Sequence, residues 1–497
     1  MARRIEFEPS RTLTEFRLLP GLTTAETTVE NVRLETPLVQ RPDGGGPLML
    51  KAPVVAAAMQ AVSGAAMGIE LARLGGSAFI FSSQPIDKQA AMVRRVKSHK
   101  AGFVEPKSVP PDMPLHDVDL LRREAGYSTF PVVDDQGRLL GLITRRDYDA
   151  KAHADLPASE RMIPRDQLDV GENITDLERA NALLIEGHRS VLPIVDGEDR
   201  LKYLVFRKDI EDHLDNPDQV VDERKRLVAV AAINTHDYEQ RVPALIEAGV
   251  DAIGIDSSDG HSVFQRETIA WVRGRYPHLP IVGGNVITGD GFDYLVESGV
   301  GGVKVGMGGG SICITQEQKG TGRGLATAVL RVVEARDRYA QETGTYIPVI
   351  ADGGILHSKD VVVALALGAD VVMMGRYFAR MEESPTEKIQ ISGRIMKPYW
   401  GEGSARARDW SPSRYRHAAF LEGVEGFVEY AGKLRDNLPQ LTSKVKAAMA
   451  SCGCATLAEL HEKAELELVS SLSIREGKVH DIIQFGGDRD SLASWSV

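Results

Sequence analysis

Pro348-Val-Ile-Ala-Asp-Gly-Gly-Ile-Leu-His-Ser-Lys-Asp-Val-Val-Val-Ala-Leu-Ala-Leu-Gly-Ala-Asp-Val-Val-Met-Met-Gly-Arg376 is the stretch on which the fold turns. It opens with an apolar run, Pro348–Gly354, passes through a helical pattern over Lys359–Leu367, and returns to a second apolar run, Val371–Arg376. Neither run alternates polar with apolar, which is the pattern of parallel strands covered on both faces. Strand, helix and strand in roughly thirty residues make a βαβ unit.

Moving outward, the same alternation fills most of the chain. Strands are expected over Val54–Met59, Ser77–Ser83, Leu227–Ile233, Ala252–Ser258, Pro280–Val286 and Gly302–Met307, in addition to the two above. Helical patterns follow at Gly64–Leu74, Asp87–Lys100, Tyr238–Ala248, Phe264–Tyr276, Phe292–Ser298 and Ala326–Glu342. Eight such units read as a closed (β/α)8 TIM barrel of the α/β class, with a doubly wound open sheet as the competing architecture. The rhythm breaks once, between Lys100 and Leu227, a span too long for a single connection. Inside it the chain repeats itself. Pro114–Asp147 and Ile174–Asp209 each read as a helix, a strand ending Pro-Val-Val-Asp or Pro-Ile-Val-Asp, a turn, and a strand ending Arg-Arg-Asp or Arg-Lys-Asp. Two copies are expected to pair by burying each other's apolar face. The organisation is therefore a discontinuous barrel domain, 1–103 and 215–497, an α+β insert at 104–214, and a polar, glycine-containing segment at 390–425 that reads as a lid. For the insert alone, simple packing or spacing is the alternative to ligand binding.

The chain has 497 residues with a net charge of −11, which argues against general nucleic-acid binding because that needs a basic face. Its longest apolar stretch, Val361–Met374, is interrupted by Gly368 and Asp370 and is too short to span a bilayer. The opening Met1-Ala-Arg-Arg-Ile-Glu-Phe-Glu8 lacks the apolar core of a signal peptide. Three cysteines, Cys313, Cys452 and Cys454, make no disulfide framework, so a cytoplasmic protein is expected.

A barrel of this kind places chemistry at the C-terminal ends of its strands. Strand seven ends in Asp352-Gly-Gly354 and strand eight in Gly375-Arg376. Glycines let backbone N–H groups approach a phosphate, and the start of a following helix favours negative charge; relief of crowding at the rim is the alternative. Asp352, repelled by phosphate, suits a ribose diol. Strand six runs into Gly306-Met-Gly-Gly-Gly-Ser-Ile-Cys-Ile-Thr-Gln316, a loop that can wrap a ligand or an ion. On it Cys313 is a candidate nucleophile, the alternative being a small buried apolar side chain. Cys452 and Cys454 have no second pair to complete a zinc site and read as structural. Asp256-Ser257-Ser258 after strand four could hold a second ligand, or serve only its own tight turn.

These residues together make the chain resemble the IMP dehydrogenase/GMP reductase family over nearly its whole length. The match is carried by Gly308–Gln316, Ala351–Ile355, Tyr399-Trp-Gly-Glu-Gly-Ser404, Arg414-Tyr415, Glu422-Gly-Val424 and Glu476-Gly-Lys-Val-His-Asp481. The inserted repeats resemble a tandem cystathionine-β-synthase-type (CBS) module, which implies an adenine or guanine nucleotide there. The Trp-Gly-Glu-Gly-Ser form resembles a protozoan-like branch more than the commoner form with Arg and Met. The resemblance implies that Cys313 attacks purine C2 of inosine 5′-monophosphate (IMP) while NAD takes up hydride. It also implies that a lid then closes so that Arg414, with Tyr415 beside it, activates water, and that Thr315 assists. It implies that Ser311, Asp352, Gly354, Gly375, Arg376 and Tyr399 hold phosphate and ribose. Gly403 and Glu422 would face the base, and Asp256, Ser257, Ser258 and Gly306 would contact NAD. It further implies a monovalent cation, usually potassium, held by Gly308, Gly310 and Cys313 with Glu476, Gly477 and Lys478 of a neighbouring subunit. Lys478 stands where some relatives have a smaller residue. A homotetramer is implied, with an octamer left open.

Two rivals stand beside this reading. GMP reductase shares the barrel and the cysteine, but its members typically read Cys-Thr-Thr-Arg where this chain has Cys313-Ile-Thr-Gln316, and they need no water-activating arginine. A nucleotide sensor with a silent barrel is the other, opposed by the presence of Cys313, Thr315 and the Arg414-Tyr415 pair together.

Overall fold

The computed structural model describes residues 5–99, 103–104, 106–125, 128–408 and 420–480. Eight parallel strands close into a barrel in chain order: β1 (Val54–Ala56), β2 (Ser77–Ile80), β3 (Val230–Ile233), β4 (Ala252–Ile255), β5 (Ile281–Val286), β6 (Gly302–Val305), β7 (Val349–Asp352) and β8 (Val371–Met374). Each lies within an expected run; β3 and β5 end where their runs end, and in the other six the last residues of the run form the loop at the mouth. The open-sheet alternative is excluded, since β8 pairs with β1 and β2 with β3.

The absence of alternation in these runs now has its physical cause. Val55, Phe79, Val230, Ala232, Val282, Ile350, Val371 and Met373 pack in the barrel interior. Their neighbours Val54, Ile80, Ala231, Ile253, Val303, Val349 and Val372 pack outward beneath the helices. Both faces are dry, so both must be apolar.

The covering helices are α1 (Ala65–Arg73), α2 (Ile86–Lys97), α3 (Tyr238–Glu247), α4 (Val263–Arg275), α5 (Gly289–Glu297), α6 (Leu325–Thr343), α7 (Ser358–Ala366) and α8 (Leu434–Ser451). Helix α8 packs against both α7 and α1 and closes the ring. The N-terminal end of the barrel is plugged by a hairpin, Thr36–Val39 with Leu48–Leu50, whose Leu38, Val39, Leu48 and Leu50 join the interior core. Backbone bonds from Gln40 to Gly301 and from Lys51 to Gly75 tie that plug to the starts of β6 and β2.

The insert contains the two repeats, each with the expected helix and strand pair: Leu115–Ala125, Thr129–Val133 and Leu139–Thr144, then Leu177–Glu186, Val191–Val195 and Leu201–Phe206. How they bury apolar surface differs from expectation. Each copy lays its own helix on its own sheet, giving one core around Val118, Phe130 and Ile143 and another around Leu184, Ile194 and Val205. The copies meet through their turns, where Leu139 N–H bonds to Asp199 O, Leu201 N–H to Gly137 O, and Arg165 pairs with Asp199 at 2.8 Å. The chain is back on the barrel by Val220, whose N–H bonds to Ala72 O.

The segment read as a lid is more ordered at its ends than its composition implies. Ile389–Ile391, Arg394–Trp400 and Glu425–Glu429 form a three-stranded antiparallel sheet. The first hairpin turns through Ser392 and Gly393, both at positive φ (50° and 76°), the pattern of a type I′ turn.

Candidate functional site

A cleft of about 180 Å³ opens at the C-terminal end of the barrel. It is lined by Asn285 of β5 and by the loops after β1, β4, β6, β7 and β8, and is roofed by Tyr399, Gly401–Gly403 and Glu422. It gathers Ser311, Asp352, Gly354, Gly375, Arg376, Tyr399, Gly403 and Glu422 with Asp256, Ser257, Ser258, Gly306, Gly308, Gly310, Cys313 and Thr315. Glu476, Gly477 and Lys478 do not join them. They close the helix Ser471–Glu476, which packs against Leu13–Glu15, and Gly477 lies near Arg17. Arg414 and Tyr415 lie outside the described residues.

Cys313 is partly exposed at the head of a short polar chain. Its Sγ is 3.1 Å from Thr315 Oγ1, which donates to Glu422 Oε2 at 3.0 Å. Lys319 Nζ stands 3.6 Å from the same carboxylate oxygen. The backbone holds this chain in register. Ile314 N–H bonds to Glu422 O, Val424 N–H to Ile312 O, and Glu422 N–H to Gly403 O, so the cysteine loop runs as an extra strand beside 422–424. Cys452 and Cys454 are buried far along the chain in the main core, where desolvation raises both thiols and makes them poor nucleophiles.

At the end of β7, Asp352 Oδ2 accepts from Asn285 Nδ2 at 2.9 Å, and Lys304 Nζ lies 3.7 Å away. Lys304 also bonds Asn285 Oδ1, so a buried ammonium and an amide orient the carboxylate from below. Gly306 makes the approach of β6 to β7 possible: its φ is +140°, and a Cβ there would lie 1.9 Å from Asp352 O. Gly375 does the same for Tyr399, whose hydroxyl would be 2.8 Å from a Cβ at that position. Burial, with the Asp352 carboxylate nearby, pushes the Tyr399 phenol well above its ordinary range, so it stays a neutral hydroxyl. On the far side, the Ser257 hydroxyl donates to Asp259 O at 3.1 Å, so the tight-turn reading accounts for that side chain.

Asn285, Lys304, Met59 and Glu402 also line the cleft and were not singled out in the sequence. Lys304 carried a readable signal: it is the lone cation in the otherwise apolar strand Gly302-Val-Lys-Val305. Lysine in a strand buried on both faces needs a partner. Among the described residues no group of three or more His, Cys, Asp or Glu side chains could hold a metal ion, and no helix is long and apolar enough to cross a membrane.

Residues 10–480 match the family model for the IMP dehydrogenase / GMP reductase domain. The chain is 48% identical to inosine-5′-monophosphate dehydrogenase of Tritrichomonas foetus over 488 residues, covering 96% of this chain and 97% of the relative. It is 38% identical to the Escherichia coli K12 protein of that name, covering 88% and 90%. A crystal structure of a GMP reductase variant from Trypanosoma brucei in complex with guanosine 5′-monophosphate superposes with a TM-score of 0.81 at 27% identity, covering 96% of this chain and 99% of that one. With nearly the whole chain matched in sequence and in barrel architecture, it belongs to the IMP dehydrogenase / GMP reductase family.

Proposed function

We propose that this chain oxidises IMP to xanthosine 5′-monophosphate with NAD. The observation that carries this reading is Cys313 at the cleft, in line with Thr315 and Glu422. The names of the relatives support it. In this reading the Cys313 sulfur bonds to purine C2 as its proton passes toward Thr315 and Glu422. Bound NAD supplies the acceptor for the C2 hydrogen and its electron pair. Water then adds at C2 and the sulfur leaves as thiol, so IMP, NAD and water become xanthosine monophosphate, NADH and a proton. Arg414 is assigned to water activation with Tyr415 beside it. An arginine with a pKa above ~12 is a poor base in water, so this role requires a closed, dry lid.

Ser311, Gly354, Gly375, Arg376 and Tyr399 are assigned to the phosphate end and Asp352 to the ribose diol, held ready by Asn285 and Lys304. Gly403 and Glu422 are assigned to the base. Asp256, Ser257, Ser258 and Gly306 are assigned to NAD, which fits because they line the same cleft as Cys313.

The residues also fit a monovalent cation. The loop Gly306–Gln316 has no carboxylate and offers neutral carbonyls, including those of Gly308, Gly310 and Cys313, a donor set matched to potassium rather than to a divalent ion. It would steady the cysteine loop. Glu476, Gly477 and Lys478, which do not line the cleft, are assigned to a neighbouring copy, as part of the tetramer reading. The insert is assigned to a purine nucleotide as a CBS-type module, and the three free thiols suit the cytoplasm.

The test is absorbance at the NADH band with purified protein, IMP, NAD and potassium. NADH with xanthosine monophosphate as product is the expected result. Oxidation of NADPH with GMP and release of ammonia would transfer the site to the reductase chemistry named for the trypanosomal structure.

A further inference from the structure

The segment Trp400-Gly-Glu-Gly-Ser404 stands out in the sequence, yet neither Trp400 nor the Glu402 side chain has a part in the reaction above. Both are buried, at 7% and 5% exposure, and both bond to the loops that follow the first two barrel strands. Gln60, in the loop after β1, donates its backbone N–H to Glu402 Oε1 at 2.7 Å. Ser83, in the loop after β2, donates its hydroxyl to Glu402 Oε2. Trp400 Nε1 donates to Gln60 Oε1 at 2.9 Å, and Gln60 Nε2 donates to Ser83 O at 2.8 Å. Outside, Arg406 stacks on the Trp400 ring at 4.0 Å.

We infer that this network is a latch and that Glu402 is a positioning residue for recognition of the purine base. The inference rests on the function proposed above and deepens it. Its physical basis is the placement of the peptide that Glu402 anchors. Glu402 and Gly403 line the cleft, and Gly403 O accepts the N–H of Glu422, whose carboxylate continues to Thr315 and Cys313. On one side the peptide is pinned to β1 and β2; on the other it sets Glu422. A buried carboxylate held by two donors is a stiff anchor because releasing it strands the donors as well.

The experiment compares wild type with Glu402→Ala, Glu402→Gln and Ser83→Ala in the full chain. It measures KM for IMP, KM for NAD, kcat, equilibrium binding of IMP, and the rate at which a 6-chloropurine ribonucleotide traps Cys313 at saturation. Glu402→Ala is expected to raise KM and Kd for IMP about tenfold, while kcat and the saturated trapping rate fall less than about threefold. Glu402→Gln, which keeps an acceptor for the Gln60 N–H, is expected to recover most of that loss. Ser83→Ala removes a single donor and is expected to shift KM the same way by about threefold, which keeps the test alive if Glu402→Ala fails to fold. Wild-type KM and Kd for IMP in Glu402→Ala or Ser83→Ala, or an equal loss toward IMP and NAD, overturns the latch. A wild type that oxidises no IMP overturns the proposed function instead, and the binding comparison still decides the latch. A wild type that neither oxidises nor binds IMP overturns both.

Discussion

Asp370 and Asp352 bracket neighbouring barrel strands, one just before β8 and the other at the end of β7, and the protein treats them in opposite ways. At the base, Asp370 is enclosed and accepts the Val349 N–H at 2.8 Å, the Tyr346 hydroxyl at 2.7 Å and the Arg336 guanidinium at 3.3 Å. Arg336 is itself enclosed and also donates to Gly368 O and Tyr346 Oη. Lys97, Asp222 and Asp251 form a second buried cluster, with contacts of 2.8 and 2.7 Å. At the mouth, Asp352 is oriented from one side by Asn285 and Lys304 while its carboxylate stays 22% exposed beside an open cleft. The base spends its charges on itself, whereas the mouth aims them outward. The same strands therefore carry stability at one end and leave recognition to the other.

The sharpest way to break this division is to remove a group at each end. Cys313→Ala is expected to lower NADH production about ten-thousandfold and abolish covalent trapping, with the unfolding midpoint in denaturant unchanged. A matching loss of stability would show that the mouth also holds the fold. Asp370→Ala should do the reverse. Arg336 keeps Asp337 at 2.8 Å, but its Nη1, the Val349 N–H and the Tyr346 hydroxyl lose their enclosed acceptor, so stability is expected to fall by about 3 kcal/mol, read from denaturant unfolding. Turnover per folded molecule should hold near wild type. Lys304 is the intermediate case, a base-like buried charge serving the mouth. Lys304→Met strands Asn285 Oδ1 and frees the Asp352 carboxylate to turn, and kcat/KM for IMP is expected to drop about tenfold. An unchanged kcat/KM would mean that Asn285 alone orients Asp352.

The barrel was legible because burial on both strand faces leaves a mark that one sequence carries: eight short, mostly apolar runs with no alternation. The cysteine loop and the Asp352 and Gly375 turns were legible for a related reason, since close backbone approach demands glycine. Lys304 and Asn285 were harder to see because their role depends on which strand lies alongside, and register across a barrel is not written locally. The separate cores of the two repeats were missed because a repeat reports its period, not whether its apolar face meets its own sheet or its twin's. The sheet flanking the lid was hidden because its strands break the usual pattern, with Ile395 exposed and Lys397 buried, although the Ser392-Gly393 turn marked it.

The smallest effect belongs to the base and concerns a proton. His461, on the helix Leu457–Lys463, lies against Ala369 O at 3.1 Å, close to Asp370 and Arg336. Burial lowers its pKa below the ordinary value; Asp370 opposes the shift and Arg336 adds to it. The unfolded chain therefore takes up a proton at a higher pH than the folded one. Below about 6.5, and down to the lowered folded value, unfolding gains that proton and stability falls as pH falls; above that window the contribution is fully present. His461→Gln retains a donor for Ala369 O and removes the titration. At pH 8 the variant is expected within about 1 kcal/mol of wild type. Between pH 7.5 and 5.5 its unfolding midpoint should drop less steeply, while the NADH-production profile keeps its shape. Parallel slopes in the two proteins would show that the protonated ring finds a compensating partner within the base, and that Asp370 is less completely satisfied by Arg336 and Tyr346 than its contacts indicate.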